Sequence, residues 1–100
     1  MSRARLPRLT LFSGPCCSLC DVAKEELAKV RSQAPFSLQV VDIHSPGQDK
    51  WKRLYQYDIP VLHLEDQMIM KHRMEPERLV KRLEEWSRVW KEEAEGEGKT

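Results

Sequence analysis

Two cysteines separated by two residues, Cys17 and Cys20, stand where an apolar run gives way to a helical pattern. Residues 9–13 (Leu-Thr-Leu-Phe-Ser) are mostly apolar and predict a buried strand. A Gly-Pro step ends that run, and from Ser18 onward the apolar residues follow helical spacing. The chain is therefore expected to contain a strand that turns directly into a helix, with the cysteine pair at the turn.

This placement gives the first sulfur a distinctive environment. Unpaired backbone N–H groups and the positive end of the helix dipole meet at a helix N-terminus. Both favour a thiolate over a thiol, so Cys17 is expected to ionise more readily than a free cysteine. Cys20 follows three residues later, within reach of a disulfide with Cys17. The pattern is typical of a dithiol that is reversibly oxidised, although two ordinary core cysteines are the simpler alternative.

Size and composition limit the classes of protein to consider. One hundred residues suffice for one small domain, and 40% of them are hydrophobic. The net charge of +1, from 17 basic and 16 acidic side chains, gives no sign of a nucleic-acid partner. No apolar stretch approaches the roughly 18 residues of a membrane helix, so no membrane partner is expected. Three cysteines suit an intracellular, cytoplasmic protein better than a disulfide scaffold.

The two ends of the chain differ in charge. Residues 1–8 contain three arginines and no acid, and they are interpreted as a basic lead-in. A short mitochondrial presequence is the alternative interpretation of this segment. Residues 92–100 are rich in glutamate, contain two glycines and lack large apolar side chains, which predicts a flexible acidic tail.

Seven elements are predicted in the order β-α-β-α-β-β-α. After the first strand and helix come a strand within 36–43, a short helix at 49–57, strands at 59–64 and 68–72, and a last helix from Pro76. A right-handed β-α-β crossover makes the first two strands parallel, whereas the last two form an antiparallel hairpin. The predicted fold is α/β, with a mixed four-stranded sheet flanked by helices.

The two later helices also have apolar residues at helical spacing. In the short helix Trp51, Leu54 and Tyr55 are expected to face inward. The last helix has an apolar stripe that is expected to pack on the sheet, formed by Leu79, Leu83, Trp86 and Trp90.

Three segments in this order resemble the glutaredoxin branch of the thioredoxin fold. They are Leu9-Thr10-Leu11-Phe12 before the motif, Cys17-Ser18-Leu19-Cys20-Asp21 as the motif, and Tyr57-Asp58-Ile59-Pro60-Val61 in the second half. The resemblance is closest to small eukaryotic glutaredoxin-like proteins, and it implies a domain over residues 9–91.

The resemblance implies a role for each site residue. Cys17 attacks a disulfide, and Cys20 resolves the resulting mixed disulfide. Ile59-Pro60 matches the family's cis peptide bond, which presents the backbone of Ile59 to an extended peptide or to glutathione. Ser18 and Leu19, between the cysteines, complete the expected substrate groove. Protein or glutathione disulfides are the implied partners, glutathione is a candidate co-substrate, and no tightly bound cofactor is expected.

The chain departs from the family pattern in two places. Ser18 and Leu19 stand where glutaredoxins typically have proline and an aromatic residue. Residues 71–75 (Lys-His-Arg-Met-Glu) replace the Gly-Gly pair that holds the γ-glutamyl end of glutathione. The choice between glutathione and a protein dithiol as the electron donor therefore stays open.

Other functions use the same cysteines. Zinc could be held by the pair together with His44, His63 or His72, but the latter two are nine residues apart rather than the three to five of a zinc finger. The resemblance also implies the alternative of an iron–sulfur cluster shared between two chains, which generally borrows glutathione thiols. The missing Gly-Gly pair argues against such a cluster, so no metal site is expected. The alternative to an oxidoreductase is a non-catalytic thioredoxin-fold binding module or a protein that binds zinc or an iron–sulfur cluster. Cys16 is interpreted as an exposed thiol without a role, and the chain is expected to be a monomer.

Overall fold

The computed structural model describes residues 6–98, with side chains described up to residue 89. The seven elements have the predicted order. They are β1 (Arg8–Ser13), α1 (Ser18–Gln33), β2 (Ser37–Asp42), α2 (Asp49–Tyr55), β3 (Val61–Leu64), β4 (Gln67–Lys71) and α3 (Pro76–Gly98).

The strands form one mixed four-stranded sheet, as the sequence predicts, and the structure shows their order in it to be β2-β1-β3-β4. β1 pairs in parallel with β2 and antiparallel with β3, so that Leu11 lies between Val40 and Leu62. β3 and β4 form the expected antiparallel hairpin, with a register shift between Leu62 and His63. β1 and β3 are therefore the central strands, and β2 and β4 are the edges.

The larger part of the core lies between one sheet face and the helices α1 and α3. β1 contributes Leu9 and Leu11 to this layer, because alternate residues of a strand point to the same side. The buried face of α1 repeats at helical spacing, and the predicted stripe of α3 places Leu79 and Leu83 at the centre. Trp86 packs at the margin of this cluster.

The opposite sheet face packs against α2. Phe12, Ile43 and Val61 are buried there, and Trp51 and Tyr55 of α2 pack against them. The prediction for Leu54 was wrong, since this side chain is 54% exposed. The helix ends at Tyr55 and has only seven residues, so it has room for a narrow apolar face and no more.

The two segments predicted to flank the domain overlap its first strand and its last helix. Arg8, assigned to the lead-in, belongs to β1, and residues 1–5 of that lead-in lie outside the described residues. α3 continues to Gly98, so residues 92–98 extend the last helix instead of following it. The side chain of Trp90 and residues 99–100 are outside the described part of the chain, and the flexibility of the tail stays a prediction.

Candidate active site

The cysteine pair lies at the start of α1, directly after the loop that leaves β1. Cys17 is the N-cap residue, with the extended backbone (φ −112°, ψ 100°) that an N-cap position requires. The backbone N–H of Cys20 donates a hydrogen bond to Cys17 Sγ over 3.1 Å. The sulfur thus occupies the place of the usual capping oxygen, where it meets an otherwise unpaired N–H group.

Cys17 and Cys20 are joined by a disulfide, with their Cα atoms 5.2 Å apart. The two residues differ in their access to solvent. Cys17 is half-buried, whereas Cys20 is only 1% exposed and packs on the inner face of α1. An incoming molecule can therefore reach the sulfur of Cys17 more easily than that of Cys20.

The Ile59-Pro60 segment lies at the same end of the sheet as the cysteine loop. Its peptide bond is cis, which confirms what the resemblance implies. The pairing of Phe12 with Val61 brings Pro60 level with the end of β1. A Cβ atom at Gly14 would lie 3.0 Å from Ile59 Cδ1, so the Ile59 side chain packs closely against the loop that leads to Cys17. Pro60 itself is buried, and its carbonyl accepts a hydrogen bond from His72 N–H.

The four residues predicted to form the substrate groove differ in exposure, and their common groove stays a prediction. Ser18 and Leu19 are exposed on the first turn of α1, whereas Ile59 is half-buried. Leu19 lines a shallow groove of about 470 Å³ between α1 and the loop after β4, and its other walls are Val22, Ala23, Glu26, His72, Arg73 and Met74. This groove was not predicted, because the exposure of Leu19 and Val22 is evident only in the structure.

The loop after β4 has charged side chains where the resembled family has two glycines. His72 adopts a positive φ of 68°, the left-handed conformation that glycine adopts without strain. Asp58, which precedes the Ile59-Pro60 segment, is close to this loop: its Oδ1 lies 3.7 Å from His72 Nε2 and 3.9 Å from Lys71 Nζ. The turn thus contains a backbone conformation that is typical of glycine, although its residues carry basic side chains.

Of the histidines considered as zinc ligands, His63 is engaged by Tyr55, His72 lies near Asp58, and His44 lies beside Gly14 of the cysteine loop. His63 is buried on β3, and its Nε2 lies 2.8 Å from the hydroxyl oxygen of Tyr55 in a hydrogen bond. Burial lowers the pKa of His63, and the negative charge of Asp66 opposes this shift. Burial and, secondarily, Asp58 raise the pKa of Tyr55. Among the residues with described side chains, no three His, Cys, Asp or Glu residues form a metal-binding group.

The Tyr55–His63 pair belongs to an aromatic cluster that was not predicted from the sequence. Phe12 contacts Trp51, Tyr55 and His63, with ring centroids 4.6, 5.3 and 4.8 Å away respectively. The residues come from β1, α2 and β3, and only their common position on one sheet face could have connected them. The cluster fixes α2 to the sheet beside the Ile59-Pro60 segment.

A family model described as a glutaredoxin-like domain (DUF836) matches residues 8–84 of the chain. The chain belongs to this glutaredoxin-like family. A relative from Dictyostelium discoideum, named glutaredoxin-like protein YDR286C homolog, is 30% identical over 80 residues, which cover 76% of this chain and 74% of the relative. Family membership confirms the resemblance that the three sequence segments indicated.

Solved structures place this glutaredoxin-like domain in the thioredoxin fold. Protein Ne2328 from Nitrosomonas europaea superposes with a TM-score of 0.70 at 22% identity, covering 83% of this chain and 98% of that protein. Thioredoxin O2 from Arabidopsis thaliana, in its oxidized state, gives a TM-score of 0.58 at 20% identity, with 86% and 82% covered. These similarities confirm the fold class. No helix in the described part of the chain has the length and apolar character needed to cross a membrane.

Proposed function

We propose that this glutaredoxin-like domain is a thiol–disulfide oxidoreductase that uses Cys17 and Cys20 as its dithiol. The observation that carries the proposal is the pairing of a half-buried N-cap sulfur with a fully buried partner sulfur in one helical turn. The N–H of Cys20 and the N-terminus of the 16-residue α1 stabilise negative charge on Cys17 when the pair is reduced.

The reaction proceeds in two exchanges. The Cys17 thiolate attacks one sulfur of a substrate disulfide, forming a mixed disulfide and releasing the other substrate sulfur as a thiolate, which takes a proton from water. Cys20, after losing its own proton, then attacks Cys17 Sγ, forms the Cys17–Cys20 disulfide and releases the second substrate thiolate. Two electrons pass from the dithiol to the substrate, and two external thiol equivalents restore the dithiol.

The substrates proposed are protein disulfides or glutathione disulfide, with glutathione or a protein dithiol as the electron donor. The exposed Leu19 and Val22 offer apolar contact to a peptide, and the basic side chains of Lys71 and Arg73 offer charge to a carboxylate. Because the pair must be reduced after each cycle, we also propose that the protein works in a reducing intracellular compartment, the cytoplasm being the first choice.

The test follows the reduced protein after mixing with glutathione disulfide or with an unfolded protein disulfide. The wild type should become oxidised at Cys17–Cys20 and release substrate thiols, whereas Cys17→Ser should release none above the uncatalysed rate. Cys20→Ser should stop after the first exchange, with substrate mass attached to Cys17. Cys16→Ser is the matched control and should behave as wild type, since Cys16 is outside the disulfide.

The same experiment separates catalysis from a binding function. A non-catalytic module would bind a partner equally well with Cys17 or serine and would show no trapped mass in Cys20→Ser. That outcome would refute the oxidoreductase proposal. Trapping with one disulfide substrate and not the other would identify the substrate class.

A further inference from the structure

The outer edge of β2 is an open strand edge, and we propose that it pairs with β2 of a second copy of this chain. β2 is the first strand of the sheet order β2-β1-β3-β4, so its inner side is paired with β1, and within residues 6–98 no strand pairs with its outer side. Ser37 N–H donates to Pro7 C=O over 3.0 Å, and Ile43 N–H donates to Ser13 C=O over 2.9 Å. The odd-numbered residues of β2 thus direct their N–H groups toward β1.

The even-numbered residues of β2 direct their backbone N–H groups away from β1, toward the outer edge of the sheet. In a parallel pair the backbone groups of successive residues alternate between the two sides of a strand. The N–H and C=O groups of Leu38 and Val40, and the N–H of Asp42, therefore face outward. Asp42 C=O accepts a hydrogen bond from Ser45 N–H at the following turn. This row of donors and acceptors can be satisfied by another strand.

The two edges of the sheet differ in how well they are protected from pairing with another strand. β4 is interrupted by the register shift opposite Leu62 and His63, and it ends at Lys71, whose ammonium lies near Asp58. Irregular pairing and lysine are devices that prevent edge-to-edge association. β2 pairs with β1 without a register shift over its six residues, and it contains no proline and no basic side chain. β2 is thus the edge that is suited to pairing.

The sequence of β2 matches itself in an antiparallel register centred on Val40. In that register Val40 exchanges two N–H···O=C bonds with Val40 of the second copy, and each Asp42 N–H donates to Leu38 C=O opposite it. The two Val40 side chains, each 46% exposed in one chain, then cover each other. Each Asp42 lies opposite Leu38, so the like charges are kept apart.

The whole-molecule charge also permits this contact. A net charge of +1 gives little repulsion between copies. A single strand pair is a small interface, so the dimer should form at high protein concentration and dissociate on dilution. At high concentration we therefore expect a dimer instead of the monomer predicted from the sequence. This dimer does not depend on the redox chemistry of the cysteine pair.

The first experiment is sedimentation velocity over a wide range of concentrations, under reducing conditions and with Cys16→Ser to exclude disulfide-linked dimers. Wild-type β2 should give a dimer fraction that rises with concentration. Val40→Lys should remove the dimer. Met68→Lys is the matched control, because Met68 is 44% exposed on the other edge strand, and this variant should dimerise normally. Circular dichroism checks that both variants fold.

A second measurement tests the register even where a lysine variant does not fold. A nitroxide is attached at Val40→Cys or at Met68→Cys in a chain with serine at all three native cysteine positions. Labels at residue 40 should be in close dipolar contact in the dimer. Labels at residue 68 should be roughly 34 Å apart, because strands are about 4.8 Å apart and three spacings separate β2 from β4 in each copy.

Three results would overturn the proposal. They are a monomer at every concentration, a dimer that survives Val40→Lys, and labels at residue 68 that are closer than those at residue 40. A monomer would mean that another segment or an extended substrate peptide takes the edge, whereas the two other results would place the interface elsewhere.

Discussion

At the scale of single residues, Gly14 determines how closely the cysteine loop can approach the Ile59-Pro60 segment. A Cβ atom there would lie 3.0 Å from Ile59 Cδ1 and 3.0 Å from His44 Cδ2. We expect Gly14→Ala to lower the free energy of unfolding by about 1 kcal/mol, because overpacking exceeds the gain from a less flexible unfolded chain. Urea unfolding measures this difference.

Ile59→Val tests the cause of that loss, because it removes Cδ1, one of the two atoms nearest to the new methyl group. The double variant should lose less free energy than the sum of the two single variants. Strict additivity would show that the Ile59 contact is not responsible and that His44 or the backbone accounts for the loss.

The burial of His63 makes the stability of the protein depend on pH. Burial holds its pKa in the folded protein below the unfolded value of about 6.5, so the unfolded chain binds a proton more readily. The contribution of His63 is therefore complete above about pH 6.5, and it declines as the pH falls from there toward the folded-state pKa. Urea unfolding at several pH values should show the wild type losing more stability on acidification than His63→Gln. Equal losses in both proteins would contradict this assignment.

At the scale of secondary-structure elements, the packing of α3 is stabilised by its buried apolar stripe. The packing of α2 is stabilised by a much smaller apolar contact. Leu83 is 1% exposed, so Leu83→Ala should cost about 2–5 kcal/mol of unfolding free energy. Leu54→Ala is the same chemical change on an exposed position of α2, and we expect an effect within about 0.5 kcal/mol. Thermal or urea unfolding of both variants measures the contrast, and similar losses would contradict the assigned burial.

The elements themselves could be predicted because each has its own local pattern. The spacing of apolar residues indicates α1 and α3, and the change of pattern at the cysteine pair indicates the end of β1. The exposure of the Leu54 and Val40 side chains could not be predicted from such local patterns. Whether an apolar side chain is covered depends on the neighbouring element, and α2 is too short and β2 too peripheral for either residue to be buried.

The chemistry of the candidate site could be predicted from the sequence, whereas much of its shape could not. The spacing of Cys17 and Cys20 predicts a pair within disulfide reach, and family resemblance implies the cis bond at Pro60. The turns, by contrast, use positive φ at Cys16 and His72 (54° and 68°), where no glycine signals them. The groove formed by Leu19 and the loop after β4 depends on such a turn, so its walls could be known only from the structure.

At the scale of the whole molecule, one sheet separates two unequal layers. α1 and α3 cover one face with the larger hydrophobic cluster, and the short α2 covers part of the other with the aromatic cluster. The central strands β1 and β3 are shared by both layers and are paired on both sides. Opening either strand would disrupt both clusters, so the two layers should unfold together.

Amide hydrogen exchange, followed by NMR in dilute solution, should reveal this organisation. The amides of Leu11 and Leu62 in the central strands should exchange most slowly, by opening of the whole domain. Along β2 we expect alternation: Gln39 and Val41 are protected by β1, whereas Leu38 and Val40 face outward and exchange quickly. Uniform protection along β2 in dilute solution would show that its outer edge is already covered within one chain, which would contradict both the open edge and the pattern of hydrogen bonds inferred from its two ends.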